Sequence, residues 1–170
     1  MKKLTKKGYQ VLKILHIYFA GIWVGSAIAM WSFLLTINSS NISKNLEVAL
    51  FIDEFVLIPS VFLCLITGIL FSFFTKWGFF KHRWIIVKYI GNLAPPIMGI
   101  VFHGTQFHKL VEMANELGFT ALSNNEFKNL LNIFLIVCVL NGLILLFMYI
   151  ISVIKPNFGK KVVEQTKVSV

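Results

Sequence analysis

Charge is scarce in this chain of 170 residues. Asp, Glu, Lys and Arg make up 14% of it, against about 25% in an ordinary soluble domain. Acids are scarcer still, with seven against sixteen basic residues and a formal net charge of +9. Hydrophobic residues take up the difference at 57%, above the roughly 45–50% of soluble domains. These proportions exclude an ordinary soluble domain. They also exclude a disordered chain, because disorder requires low hydrophobicity. Only two cysteines are present, Cys64 and Cys138, each inside an apolar run. No polar loop presents them, so a disulfide framework or thiolate metal site has no support and both read as small core residues. Internal repeats, low-complexity tracts and the inverted symmetry of transporters are lacking as well.

What the chain has is long apolar runs. Four of them, residues 11–37, 54–75, 84–103 and 127–154, suffice to cross a hydrocarbon core of about 30 Å at 1.5 Å per residue. The stretches between them read as loops: Asn38 to Asn45 is polar and turn-forming, Lys76 to Arg83 is basic and aromatic, and Lys109 to Asn125 holds several of the acids. The expected fold is an all-α, four-helix transmembrane bundle over residues 1–155, followed by a polar cytoplasmic tail over 156–170 that begins where Lys155-Pro156-Asn157 stops the last helix.

The basic residues orient the bundle. On a path with both termini inside, twelve fall on the inner side (Lys2, Lys3, Lys6, Lys7, Lys13, Lys76, Lys81, Arg83, Lys155, Lys160, Lys161, Lys167), and three on the outer side (Lys44, Lys109, Lys128). That is a positive-inside asymmetry. It accounts for the net charge by topology and attraction to anionic lipid, with no nucleic acid. The basic start and Ala27-Ile28-Ala29 have the outline of a cleaved signal peptide, but the apolar run continues through Leu35, past the cleavage point, so the segment is expected to stay as a span.

Ionisable residues at depth are costly, about 2.5–3.5 kcal/mol for a lysine near mid-membrane. Lys88 lies five residues beyond Arg83, about 7.5 Å up the third span. It either snorkels to the inner surface or serves a site. His16 lies three residues past Lys13, so the two differ in depth by about 3 Å and can face each other. His16 shares a helical face with Ala20, Trp23, Ala27 and Leu34, while Gly21, Gly25 and Ser32 on the opposite face have the spacing of a close helix contact. The third span carries a polar lane of Trp84, Lys88, Asn92, Gly99 and Gln106, interrupted by Pro95-Pro96. Ser60, Cys64 and Thr67 form a stripe on the second span and Asn141 sits mid-way along the fourth; their plain reading is interhelical hydrogen bonding. A second cluster at the outer end comprises Asp53, Glu54, His103 and His108, which could hold a divalent metal if the helix ends near Gly104.

The run Leu12-Lys13-Ile14-Leu15-His16, followed by Trp23 and Gly25, and the run Trp84-Ile85-Ile86-Val87-Lys88 resemble a group of small four-helix bacterial membrane proteins. The group includes predicted integral membrane proteins, CopD-like copper-resistance domains and protoporphyrinogen oxidases of the HemJ type. The resemblance covers two of the four spans. It implies that His16 and Lys88 match the functional histidine and lysine of the HemJ-type proteins, associated with haem b, with His103 matching a later family histidine. About 30 Å of helix between Arg83 and His103 prevents His16 and His103 from ligating one iron. The expected cofactor site is therefore an inner one: His16 on the haem iron, Lys88 or Tyr149 beside it (His82 is a further neighbour), Trp23 against the macrocycle and Arg83 near a propionate; His103 and His108 would be an independent outer metal site. The expected function is haem sequestration or electron transfer. Porphyrinogen oxidation and a CopD-like metal-ion role are the alternatives, and the expected setting is a bacterial cell membrane, with lipid and a tetrapyrrole as partners and a homo-oligomer compatible with the sequence. The topology is testable directly: a reporter fused after Val170 is expected to be active only on the cytoplasmic side, and activity confined to the outside would overturn the orientation.

Overall fold

The computed structural model describes residues 4–75, 83–100 and 104–154, all of them helical apart from short links. The elements in order are α1 (Lys6–Leu35), α2 (Ile42–Ile52), a π-helical turn (Asp53–Leu57), α3 (Ile58–Phe74), α4 (Arg83–Met98), α5 (Gly104–Leu117), a 3-10 segment (Gly118–Ser123) and α6 (Asn125–Ile154). Because α2, the π turn and α3 run on as one helix, the described chain has five helices where four were expected. Three are long and apolar enough to cross a membrane: Lys6–Leu35, Ile42–Phe74 and Asn125–Ile154. They are compatible with a multi-pass membrane protein. We call basal the end where α1 starts and α6 finishes, and apical the opposite end.

The boundaries depart from expectation in three places. The polar stretch before the second span shrinks, because Ile42, Leu46 and Ala49 form a buried face and pull Ile42–Ile52 into helix. The third expected span is represented by α4, sixteen residues long; with Pro95 and Pro96 inside it, the backbone turns π-helical at 99–100. The expected loop Lys109 to Asn125 is instead α5 and the 3-10 segment, because Phe107, Leu110 and Ala114 recur at helical spacing and are buried. The tail 156–170 lies outside the described residues.

The apical end is a packed cap. Met30 and Leu34 of α1, Leu46 and Ala49 of α2, Phe107, Leu110 and Ala114 of α5, and Phe127, Leu131 and Phe134 of α6 form one apolar cluster. Phe107 and Phe134 meet ring to ring at 4.5 Å. Polar ties close it: Asn45 donates to the Phe33 carbonyl at 3.0 Å, Ser43 to the Ala114 carbonyl at 2.8 Å, and Asn115 to Glu47 at 3.0 Å. The Lys109 and Glu126 side chains, 2.8 Å apart, link α5 to α6 at the surface.

Towards the basal end the packing thins. α1 lies along α3, and α4 lies along α6 but touches α3 only lightly. That light contact runs through Tyr89, whose hydroxyl pairs with Ser72 and donates to the Gly68 carbonyl at 3.3 Å. A Cβ at Gly91 would collide with the Met148 thioether, so α4 approaches α6 closely at this point because glycine stands there. The expected close contact on the Gly21, Gly25, Ser32 face of α1 is not formed among the described residues. All three are exposed, and a Cβ at either glycine meets nothing within 4 Å among the described residues. α1 is therefore buried on one side, the one bearing Trp23 and Leu34.

Because Phe107 is 1% exposed and joins α5 to α6, Phe107→Ala is expected to cost about 3–5 kcal/mol. Thermal unfolding of the detergent-solubilised protein would show it as a clear fall in midpoint, and an unchanged midpoint would mean that the cap does not stabilise the bundle.

Candidate functional site

Two polar sites occur within the apolar helices, one on each side of a layer of side chains. The basal one is built on His16. One α1 residue per turn faces α3, and at this turn it is His16, opposite the buried stripe Ser60, Cys64, Thr67. The His16 Nδ1 lies 2.9 Å from the Thr67 hydroxyl, and the Cys64 Sγ lies 3.9 Å from the same nitrogen. The ring stands edge-on to Phe71 at 5.6 Å and packs over Gly68, where a Cβ would come to 3.4 Å of Cε1.

The direction of the Thr67 bond matters. Thr67 Oγ1 also lies 2.8 Å from the Leu63 carbonyl and 2.9 Å from that of Cys64, the back-bonding position of a helical threonine. With its single proton given to the backbone, the hydroxyl accepts from His16 Nδ1–H. That leaves Nε2 as the nitrogen with the free lone pair, the tautomer a metal-ligating histidine adopts when its other nitrogen is held by an acceptor. Lys88 comes from α4 close enough for its charge to act on both His16 and the Cys64 thiol. The histidine and lysine paired by their depth in the sequence thus lie within electrostatic range of each other.

The other residues expected at this site are placed less centrally. Arg83 is exposed at the start of α4. Tyr149, on α6, is 57% exposed. Trp23 is 5% exposed and packs in a small layer with Val61 and Cys64, supported by Phe19, Ala20 and Leu65. This layer lies on the apical side of His16.

Beyond the layer is a cavity of about 400 Å³, within the range of ligand pockets. His16 is not part of its wall; Trp23 is. Most of the lining is apolar, including Met30, Leu57, Val61, Phe107 and Leu145. The helical irregularities collect around it: the π turn supplies Asp53, Glu54 and Leu57, α4 supplies Pro95 and Pro96, and Gly99 and Ile100 follow. Asp53 sits within the π turn; it is 9% exposed, its backbone N–H donates to the Ala49 and Leu50 carbonyls, and its carboxyl makes no hydrogen bond among the described residues. Asn141, expected to bond between helices, has its Oδ1 fully buried and unpartnered. An orphaned buried acceptor of this kind costs about 1–3 kcal/mol.

At the cavity's edge His108 Nε2 and Glu54 Oε1 are 2.9 Å apart, both partly exposed. His103, the other histidine of the expected outer site, lies outside the described residues, as does His82. Among the described residues no group of three or more His, Cys, Asp or Glu side chains is arranged to hold a metal ion. Neither a family model, nor a curated protein, nor a solved structure matches the chain.

Individual residues of both sites were readable from the sequence, but the Thr67 partner and the cavity were not. Thr67 stands on a stripe of which two members, Cys64 and Thr67, reach His16 on another helix, whereas Ser60 bonds back to the Leu57 carbonyl at 2.7 Å. The hydrogen-bond direction is open to measurement: nitrogen chemical shifts of ¹⁵N-histidine-labelled protein are expected to show His16 as the Nδ1–H tautomer, and Thr67→Val to relax that preference. A wild-type Nε2–H signature would reverse the assignment.

Proposed function

We propose that the chain is an integral membrane protein of the bacterial cell membrane, both termini cytoplasmic, that binds haem b or a related tetrapyrrole in its basal half. The observation that carries the reading is the orientation of His16, whose Nδ1 is engaged by Thr67 while Nε2 remains available with Lys88 nearby. A neutral imidazole held this way fits the donor that haem iron takes. On the side from which Lys88 comes, α4 touches α3 only lightly.

In this reading Thr67 fixes the ring's tautomer and orientation, and the Phe71 edge and Gly68 fix its position. Lys88 pairs with a propionate or, desolvated and neutral, supplies a second nitrogen. Arg83 at the start of α4 can meet the other propionate. Trp23, expected against the macrocycle, closes the site on its apical side together with Cys64. When bound, haem supplies one-electron exchange; the protein's part is to hold it and set its ligation.

Porphyrinogen oxidation is the alternative that rests on the same approach of His16 and Lys88, and turnover of protoporphyrinogen by the purified protein would favour it over sequestration or electron transfer. A CopD-like metal-ion role would rest instead on the Glu54–His108 contact.

The test is the absorption spectrum of protein expressed with ample haem. A Soret band is expected in the wild type and its loss in His16→Ala. Thr67→Val, which removes only the hydrogen bond that orients the ring, is expected to weaken haem binding by about 10- to 100-fold. Replacing His103 and His108 together should leave the band intact. Full haem occupancy in His16→Ala, or no Soret band in the wild type, would overturn the proposal and leave His16 as an interhelical hydrogen-bonding residue.

A further inference from the structure

The apical cavity has a chemistry of its own, independent of the haem reading. Two acids and a fully buried amide oxygen supply acceptors to it. Asp53 presents a carboxyl that is nine-tenths buried and makes no hydrogen bond among the described residues, and the Oδ1 of Asn141, on the facing α6, is fully buried and unmatched. Glu54 is a further acid at the same wall, held by His108. An anion would meet carboxylates here. A bare metal ion would find no group of three ligands among the described residues. The missing partner is therefore a donor carrying positive charge.

The rest of the wall selects the body of the ligand. It is apolar, and two of its residues, Trp23 and Trp31, present indole rings, the aromatic faces best suited to a nearby cation. Ile58 and Phe62 of α3 and Ile100 beyond α4 border the cavity and are themselves exposed apolar residues. A ligand with a hydrocarbon portion can lie against this rim in a membrane, where a purely polar one would not.

We propose that this cavity binds a protonated amine with an apolar body, its ammonium group donating to Asp53 and to Asn141 Oδ1, and its hydrocarbon part lying between α3 and α4. The ammonium can belong to a free lipophilic amine or to the headgroup of an aminophospholipid; the chemistry at the site is the same.

Radiolabelled dodecylamine binding to the full-length protein in phosphatidylcholine nanodiscs tests it, with empty nanodiscs as the background and dodecanol and dodecanoate as comparators. Saturable binding of the amine is expected, with neither comparator competing at equal concentration. Asp53→Asn, which keeps the shape and removes the charge, is expected to weaken the amine by about 10- to 100-fold, the size of one charge-assisted hydrogen bond. Asn141→Leu is expected to weaken it by about 3- to 10-fold, the size of a neutral one.

Gly142 lines the cavity, and a Cβ there meets Trp31 at an ordinary 3.6 Å. Gly142→Leu should therefore fill the space, raise helix propensity and abolish binding, which keeps the test alive if an Asp53 variant fails to fold. Nanodiscs containing phosphatidylethanolamine separate the sources: competition with dodecylamine identifies the headgroup as the natural ammonium, and its absence identifies a free amine. Equal binding of dodecanol, unchanged affinity in both Asp53→Asn and Gly142→Leu, or Zn²⁺ binding that excludes the amine would each overturn the proposal.

Discussion

The structure depends on the requirement that backbone polar groups set among so many apolar side chains find their partners within the chain. Helices meet it at every residue, which is why so apolar a sequence folds almost wholly into helix. The requirement also gives meaning to the exceptions. A π turn at Asp53–Leu57, two prolines inside α4 and a second π-helical stretch at 99–100 each disturb the regular ladder, and all three border one cavity. Irregular backbone at membrane depth is tolerated where it lines a cavity or is covered by protein, and π turns recur at functional positions. The cavity and the irregularities therefore explain each other: the departures from regular helix hold the walls apart, and the space gives the disturbed backbone a place to be.

The cap above it makes this arrangement affordable in stability. α5 carries little hydrophobicity beyond its one buried face, and its charged residues Lys109, Glu112 and Glu116 face outward. Placed across the apical ends of α1, α2 and α6, it supplies Phe107, Leu110 and Ala114 to a core that the spans alone could not complete. Phe107 lies in that core and also lines the cavity, so the best-packed part of the molecule adjoins the least regular one. At the basal end the order is reversed. Packing between α3 and α4 is light, and the contacts that define the site are few and polar: Tyr89 to Ser72 and Gly68, and His16 to Thr67.

How much of this could be read beforehand follows from the range of the interactions involved. The long spans were legible because hydrophobic length is a property of consecutive residues, and α1, α3 and α6 lie close to their expected places. α5 falls where the sequence predicts a loop, because its acids and lysine mask the helical spacing of Phe107, Leu110 and Ala114. The π turn leaves no comparable mark, since nothing in Asp53-Glu54-Phe55-Val56-Leu57 distinguishes it from the helix on either side. The approach of His16 and Lys88 was foreseeable from depth, because rise per residue is fixed. The choice of Thr67 as the partner of His16 depends on the rotation of α1 against α3, and Gly21 and Gly25 were assigned a contact by spacing that the same rotation turns outward.

The two sites differ in the sign of what they offer, and the difference follows the long axis of the molecule. Toward the basal end stand His16, Lys88, Arg83 and Lys13; at the apical end stand Asp53, Glu54 and the Asn141 oxygen. Among the described residues Lys6, Lys7 and Lys13 of α1 lie toward the basal end, and Glu47, Glu112, Glu116 and Glu126 toward the apical one. Charge of this kind sets how a membrane protein is threaded. Buried charge answers to a different demand, since an ionisable group at depth persists only when something compensates it. Both follow one direction, cationic side chains at one end and acidic ones at the other. The layer of Trp23, Val61 and Cys64 stands between the two sites. Cys64 approaches His16 on one side of that layer and Trp23 lines the cavity on the other. α4 joins them as well, with Lys88 beside His16 and Pro95 and Pro96 in the cavity wall, so a shift of α4 along α6 would be felt at both.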